Sequence, residues 1–238
     1  MIPERLAADG FAITPGVFSA AECLRIAGEL NRALDGCGDE ATALRRANGA
    51  LYGARNLLAV FPQTQTLWRR PVLVDLLTTV LGSRFGLVRG LYFDKPPEGT
   101  WSLPWHRDLT IAVRDHSLPS EQFKNRTTKA GVQHVEAPAE VLQNMLTLRI
   151  HLDDVTPENG PLQVLPGSHL INVDGPPRPP IAILATAGDV LAMRPLLSHS
   201  SSDSQPGTLR HRRLIHLEFA GCSELPDGYN WQQFVPGL

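Results

Sequence analysis

The strongest constraint on this chain is a change in the spacing of its apolar residues near residue 86. Before that point, Leu24, Ile26, Ala27, Leu30 and Leu34, and later Leu73, Leu76, Leu77, Val80 and Leu81, recur at the three- and four-residue intervals that put side chains on one helix face. Beyond it the period falls to two. In Met145 to Leu152 the even positions are Leu146, Leu148, Ile150 and Leu152, and the odd ones Met145, Thr147, Arg149 and His151. In Arg212 to Phe219, Ile215, Leu217 and Phe219 share one side, while Arg212, Leu214, His216 and Glu218 share the other. Side chains alternate across a strand, so each of these segments must bury one face under apolar cover. The polar faces have two destinations, solvent or the interior of a barrel that holds a site, and alternation alone does not choose between them.

Local signals place the elements. Ser19 and Glu22 have capping-box spacing, which predicts a helix from near residue 20 to near Gly36. A second helix is expected from about Glu40 to Ala47, and a third from Pro71, which suits a first helical position, to Leu81, with Gly82 as its stop. Gly86 to Phe93 reads as a strand, and later apolar runs are separated by turn clusters such as Pro96-Pro97-Glu98-Gly99 and Pro157-Glu158-Asn159-Gly160-Pro161. The polar stretch from Arg114 to Pro138 is longer than most connections and reads as a loop that could act as a lid. Val173 to Pro180 reads as a turn-rich linker between strands. The expected organisation is one domain: residues 1–85 mostly helical support, 86–220 a sheet-rich core, and 221–238 a C-terminal tail.

Composition removes several function classes. With 22 Lys and Arg against 24 Asp and Glu, the net charge is −2, so no basic field exists to hold nucleic acid or an anionic membrane. No apolar run approaches the roughly 18 residues of a membrane helix, and Met1-Ile2-Pro3-Glu4-Arg5 lacks the layout of a secretion signal. A cytoplasmic protein acting on a small molecule is expected; no protein partner can be inferred. Cys23, Cys37 and Cys222 are odd in number and form no CxxC, which points to reduced thiols.

Of the eight histidines, His116, His134, His151, His169, His211 and His216 have no partner at metal-ligand spacing and are expected to be structural. His106 and Asp108 are two residues apart, so on an extended segment both project to one side and can chelate one ion. His199, which follows the apolar segment Asp189 to Arg194, is the candidate third ligand. Two neutral imidazoles and one carboxylate leave positions open on a metal, as in the non-haem Fe(II) oxygenases. Such enzymes must also grip the far carboxylate of 2-oxoglutarate, for which the forked, permanently charged guanidinium is suited. Arg210, Arg212 and Arg213 are within reach after His199. Arg212 lies on the polar face of its strand and is preferred; Arg210 is the alternative, and Arg213 shares the apolar face.

Several motifs in order carry a resemblance to a known family: Phe93-Asp94-Lys95-Pro96-Pro97, Trp105-His106-Arg107-Asp108-Leu109, Arg149 to Asp154, Glu158 to His169, Gly188 to Pro195, His199-Ser200-Ser201, and Arg212 to Phe219. Over roughly residues 85 to 220 the chain resembles the phytanoyl-CoA dioxygenase family of Fe(II)/2-oxoglutarate oxygenases. The resemblance implies a double-stranded β-helix, a cupin-like jelly roll, with N-terminal helices on its major sheet. It implies His106, Asp108 and His199 as iron ligands, and Arg212 with Ser201 as the 2-oxoglutarate anchor. The loop between His199 and Arg212 is about two residues longer than the family's usual spacing, which puts Arg210 at the usual offset from the histidine and Arg212 at the usual offset from the strand. Strand register decides for Arg212, because an insertion in a loop is cheap and a register slip reverses both faces.

The resemblance further implies Fe(II), 2-oxoglutarate and dioxygen as cofactor and cosubstrates, with hydroxylation of an unactivated carbon and release of succinate and carbon dioxide. Retention of Asp108 favours hydroxylation over halogenation, since related halogenases carry a small residue there. A noncatalytic or cosubstrate-independent cupin-like metal protein is the alternative. If Arg212 faces the metal, His216, Glu218, Thr147, Arg149 and His151 share its cavity, with Arg149 and Glu218 as an expected buried ion pair. Trp101, Trp105 and Tyr92 are candidates for an apolar pocket wall.

Overall fold

The computed structural model describes residues 1–38, 42–97, 99–170 and 178–237. The chain opens with α1 (Ile2–Asp9), β1 (Phe11–Thr14) and α2 (Ala20–Asp35), followed by the short strands β2 (Ala43–Arg45) and β3 (Leu51–Ala54). Two single turns, α3 (Leu57–Val60) and α4 (Thr64–Leu67), lead to α5 (Pro71–Leu81). The β-rich portion comprises β4 (Gly86–Phe93), β5 (Leu103–His106), β6 (Thr110–Val113), β7 (Lys124–Lys129) and β8 (Val132–Glu136). After the turn α6 (Ala139–Gln143) come β9 (Met145–His151), β10 (Leu162–Val164), β11 (Ile181–Ile183), β12 (Val190–Met193), β13 (His199–Ser201), β14 (Leu214–Ala220) and β15 (Val235–Pro236).

Among the described residues the major sheet runs β1-β12-β9-β14-β4-β3-β2, with β15 also on β4, and the facing minor sheet runs β11-β10-β13-β5. Every strand pair among the described residues is antiparallel. This is the jelly roll, with two sheets face to face and helices on the outside of the larger one.

Alternation fixes which layer each side chain enters. Ile150, Leu148 and Leu146 of β9 stand opposite Ile215, Leu217 and Phe219 of β14. These apolar residues share one core with Ile26, Ala27, Leu30 and Leu34 of α2 and with Leu73, Leu76, Leu77 and Leu81 of α5. Trp68 meets Phe85 and Phe219 edge-on, with ring centroids 5.7 and 5.3 Å apart. The alternate residues, Thr147 and Arg149 on β9 and His216 and Glu218 on β14, are also buried. Both strands are therefore covered on both faces, and the polar faces point between the sheets rather than to solvent. A smaller core, Leu162, Val164, Ile183, Leu191, Met193 and Leu197, closes one side of that space.

The helix boundaries follow the caps. The side chain of Ser19 accepts from the Glu22 backbone N–H at 3.3 Å, and Glu22 Oε2 accepts from the Ser19 backbone N–H at 2.8 Å. Pro71 stands at the start of α5 and Gly82 follows its end with φ +82°. Three expectations differ from the structure. Of the expected helix from Glu40 to Ala47, residues 40 and 41 lie outside the described residues; Ala43 to Arg45 form an edge strand, Ala43 opposite Ala54 and Leu44 opposite Gly53. Ala, Leu and Arg all favour helices, but propensity is a weak constraint, and here it yields to the backbone hydrogen bonds offered by β3.

Arg114 to Pro138 is not an unstructured loop. It contains the β7–β8 hairpin, turned at Ala130 and Gly131, both with positive φ as a tight hairpin turn requires. Every residue of β7 is exposed, so it carries no apolar alternation to read. The tail also joins the fold, Val235 pairing with Leu87. Most of the expected 173–180 linker lies outside the described residues. Cys23, Cys37 and Cys222 form no disulfide with one another, and no helix among the described residues is long and apolar enough to cross a membrane.

Candidate metal centre

His106 ends β5 and His199 begins β13, and the two are direct cross-strand partners. Their ring centroids lie 4.3 Å apart. Asp108 follows two residues later, its backbone N–H donating to Pro195 O at 3.0 Å, which ties the segment after β5 to the one before β13. One atom from each of His106, Asp108 and His199 lies within 4.8 Å of the other two, and this is the one such cluster found among the described residues.

The hydrogen bonds set the tautomers. His106 Nδ1 donates to Pro104 O at 2.7 Å and His199 Nδ1 to Leu197 O at 2.8 Å. A carbonyl only accepts, so each Nδ1 carries the proton and each Nε2 presents a lone pair. Those Nε2 atoms lie 3.8 and 3.6 Å from Asp108 Oδ1 and Oδ2 respectively, and buried Oδ2 has no hydrogen-bond partner among the described residues. Two ligands about 2.1 Å from one ion stand at most about 4.2 Å apart, so both histidine–aspartate separations suit a shared divalent cation. Burial pushes the His199 imidazole down to about 4, against the opposing pull of Asp108. It is neutral at physiological pH, as a ligand must be.

Arg212 is 3% exposed and its Nε has no partner among the described residues. It lies two residues ahead of β14, yet its backbone continues the ladder: its N–H donates to Lys95 O at 3.1 Å and its carbonyl accepts from Lys95 N–H at 3.2 Å. Its guanidinium therefore enters the same cavity as His106, His199, Ser201, Trp101 and Arg149. Arg210, the alternative, sits outside on the surface with Glu158, 3.5 Å away. Arg213 is held on the other face by Asp153 at 2.6 and 2.8 Å.

Lys95 is absent from the expected site yet belongs to it. It is fully buried; its Nζ donates to Ser201 Oγ and Gly160 O at 3.3 Å and to Ser202 O, and lies 4.7 Å from the Trp101 ring centre. Burial and then the charge of Arg212 push its ammonium down to about 7, with Asp203 opposing. Burial and the nearby Arg149 also push the Arg212 guanidinium down, to about 9, so it stays charged at neutral pH. The signal for Lys95 is parity, since Leu91, Phe93 and Lys95 are alternate residues.

The expected Arg149–Glu218 pair does not form. Glu218 pairs with Arg89 at 3.2 Å, because β4 lies beside β14 and places Arg89 directly opposite Glu218. Arg149 stands opposite His216 instead, its Nε donating to His216 Nδ1 at 3.1 Å. His216 Nε2 in turn lies 3.3 Å from Glu218 Oε1. Tyr92 points away from the cavity into the helix-covered core, its hydroxyl 3.5 Å from Asp94, and Trp105 is 46% exposed. Only Trp101 of the three aromatic candidates lines the cavity.

A jelly roll with two imidazole lone pairs and a carboxylate converging between its sheets, above a buried guanidinium, defines the mononuclear non-haem iron oxygenase class. The chain belongs to the phytanoyl-CoA dioxygenase (PhyH) family, whose model matches residues 6–211, and it is an enzyme of that Fe(II)/2-oxoglutarate class.

Solved structures share the fold. The non-haem alpha-ketoglutarate-dependent epimerase SnoN of nogalamycin biosynthesis is 21% identical, over 95% of this chain and 85% of its own, with a TM-score of 0.66. AviO1 from Streptomyces viridochromogenes Tue57 is 24% identical, over 94% and 96%, at 0.64. EctD from S. alaskensis, solved with 2-oxoglutarate and 5-hydroxyectoine, is 19% identical, over 92% and 74%, at 0.67.

Proposed function

We propose that the chain hydroxylates an unactivated carbon of a small organic molecule, using Fe(II) held by His106, Asp108 and His199 and 2-oxoglutarate held by Arg212, Ser201 and Lys95. The observation that carries this reading is the shared cavity. The imidazoles of His106 and His199 line the same space as a buried guanidinium whose Nε has no partner among the described residues, and the Asp108 carboxylate stands 3.8 and 3.6 Å from those imidazoles.

When bound, iron and 2-oxoglutarate supply the oxidising chemistry, with succinate and carbon dioxide as co-products. The protein's own side chains bind and orient. The carbonyls of Pro104 and Leu197 hold both imidazoles in the Nδ1–H tautomer, so each Nε2 faces the metal position. Arg212 and Lys95 bring positive charge to the distal carboxylate, and Ser201 adds a hydroxyl beside them. Trp101, whose ring lies 5.9 Å from the guanidinium carbon of Arg212, shields that charge pair from water.

The test is conversion of 2-oxoglutarate to succinate by purified protein. Turnover that requires Fe(II) and disappears in His106→Ala and His199→Ala is expected. Metal binding without any such turnover, across a broad substrate panel, would instead favour the noncatalytic reading.

A further inference from the structure

Around the cavity three buried cations, Lys95, Arg212 and Arg149, form no ion pair among the described residues. Glu218 is paired with Arg89, Asp108 faces the two imidazoles, and Lys95 and Arg212 stand with Ser201 at the far end. Arg149 forms no ion pair, although Asp108 and Glu218 are the carboxylates that act on it most. Its Nε is fixed by His216 Nδ1 at 3.1 Å, and its two terminal nitrogens make no hydrogen bond to any described residue. The side chain is 8% exposed and lines the cavity together with His106 and His199.

A buried, uncompensated guanidinium is costly, and one held rigidly at its base with both terminal N–H groups unfilled is a ready receptor for a carboxylate. On the reading proposed above, the metal takes over the charge of Asp108, and the distal carboxylate of 2-oxoglutarate belongs to Arg212, Ser201 and Lys95. Arg149 then faces the substrate's space with its positive charge unanswered. We propose that Arg149 is a specificity-determining residue that binds a carboxylate of the substrate, so that the enzyme acts on organic acids. This inference rests on the proposed metal and cosubstrate site. His216 is a positioning residue: by accepting from Nε it orients the fork.

The test uses the full chain loaded anaerobically with Mn(II) and 2-oxoglutarate. Its melting temperature is measured with linear monocarboxylates from acetate to decanoate and with benzoate, each paired with its primary amide. Acids that raise the melting temperature where their amides do not are expected. In Arg149→Met the difference should vanish, while the 2-oxoglutarate Kd, measured by calorimetry, stays within about threefold. Arg149→Lys, which keeps the charge and loses the fork, should retain a reduced difference.

An equal response to acids and amides in the wild type, including no response to either, overturns the proposal without reliance on any variant. So does a rise of about tenfold or more in the 2-oxoglutarate Kd of Arg149→Met, which would give this guanidinium to the metal-proximal carboxylate of the cosubstrate. Failure of the wild-type protein to bind 2-oxoglutarate at all would instead count against the proposed function, and that is read separately in the same calorimeter.

Discussion

At the scale of single residues, two arginines separate register from spacing. Arg212 is buried in the cavity and Arg210 lies on the surface with Glu158. Removing a charge-assisted pair of hydrogen bonds costs about 1.5–3 kcal/mol. Arg212→Ala should therefore raise the KM for 2-oxoglutarate by about ten- to a hundredfold, and Arg210→Ala should leave it within about twofold; steady-state succinate assays on the two variants read the difference.

Lys95 adds a pH dependence. Its folded value, about 7, lies below the ordinary 10.5. The ammonium is thus charged below pH 7 and neutral above, and the KM for 2-oxoglutarate should rise as pH increases through about 7; Lys95→Met should abolish that rise. The stability sign is opposite. The unfolded chain protonates Lys95 from about pH 10.5 downward while the folded chain does not until about 7, so stability is lost as pH falls across that window. Lys95→Met should therefore melt higher than wild type at pH 7, measured without cosubstrate. The clustering of His106, Asp108 and His199 and the burial of Arg212 beside them are legible because the chemistry proposed for them constrains residue type and spacing together. Lys95 is not, because a lone lysine before Pro96-Pro97 carries only its parity with Phe93 as a clue.

Among the elements, the strands that build the site are the most legible part of the sequence. Gly86 to Phe93 has the boundaries its pattern predicts, and β9 and β14 put their apolar faces against α2 and α5 as alternation requires. Alternation could not say where the polar faces go, since that depends on whether a second sheet covers them. The β7–β8 hairpin and the β2 edge strand escape reading for a related reason: exposed β7 and the three residues of β2 are held by backbone pairing, which leaves little trace in side-chain type.

One glycine anchors an element rather than a site. Gly188 has φ +96°, donates to His151 O at 2.8 Å and accepts from Phe18 N–H at 3.1 Å; a Cβ there would lie 1.9 Å from Phe18 O. Gly188→Ala combines backbone strain with a clash against main chain, and should cost about 3 kcal/mol or more. Urea unfolding of the variant measures it, and a loss under about 0.5 kcal/mol would mean that the α2 entry is free to shift away from the major sheet.

For the whole molecule, the candidate metal position bridges β5 and β13 of the minor sheet, while Arg212, the proposed anchor, comes from the ladder of β4 and β14 in the major one. Binding at such a junction should be felt by the entire fold. A cation present at a thousandfold excess over its Kd stabilises by about 4 kcal/mol, which for a chain of this size raises the melting temperature by about 10 °C. Mn(II) should produce a rise of that order, EDTA should reverse it, and Asp108→Ala should melt at the same temperature with or without the metal. The most direct measurement is a crystal structure of the protein grown anaerobically with Fe(II) and 2-oxoglutarate, with iron located by its anomalous scattering. One iron bonded to His106, Asp108 and His199, with the distal carboxylate of 2-oxoglutarate on Arg212, is the predicted result. Iron elsewhere, His199 beyond bonding distance, or that carboxylate on Arg210 would contradict it.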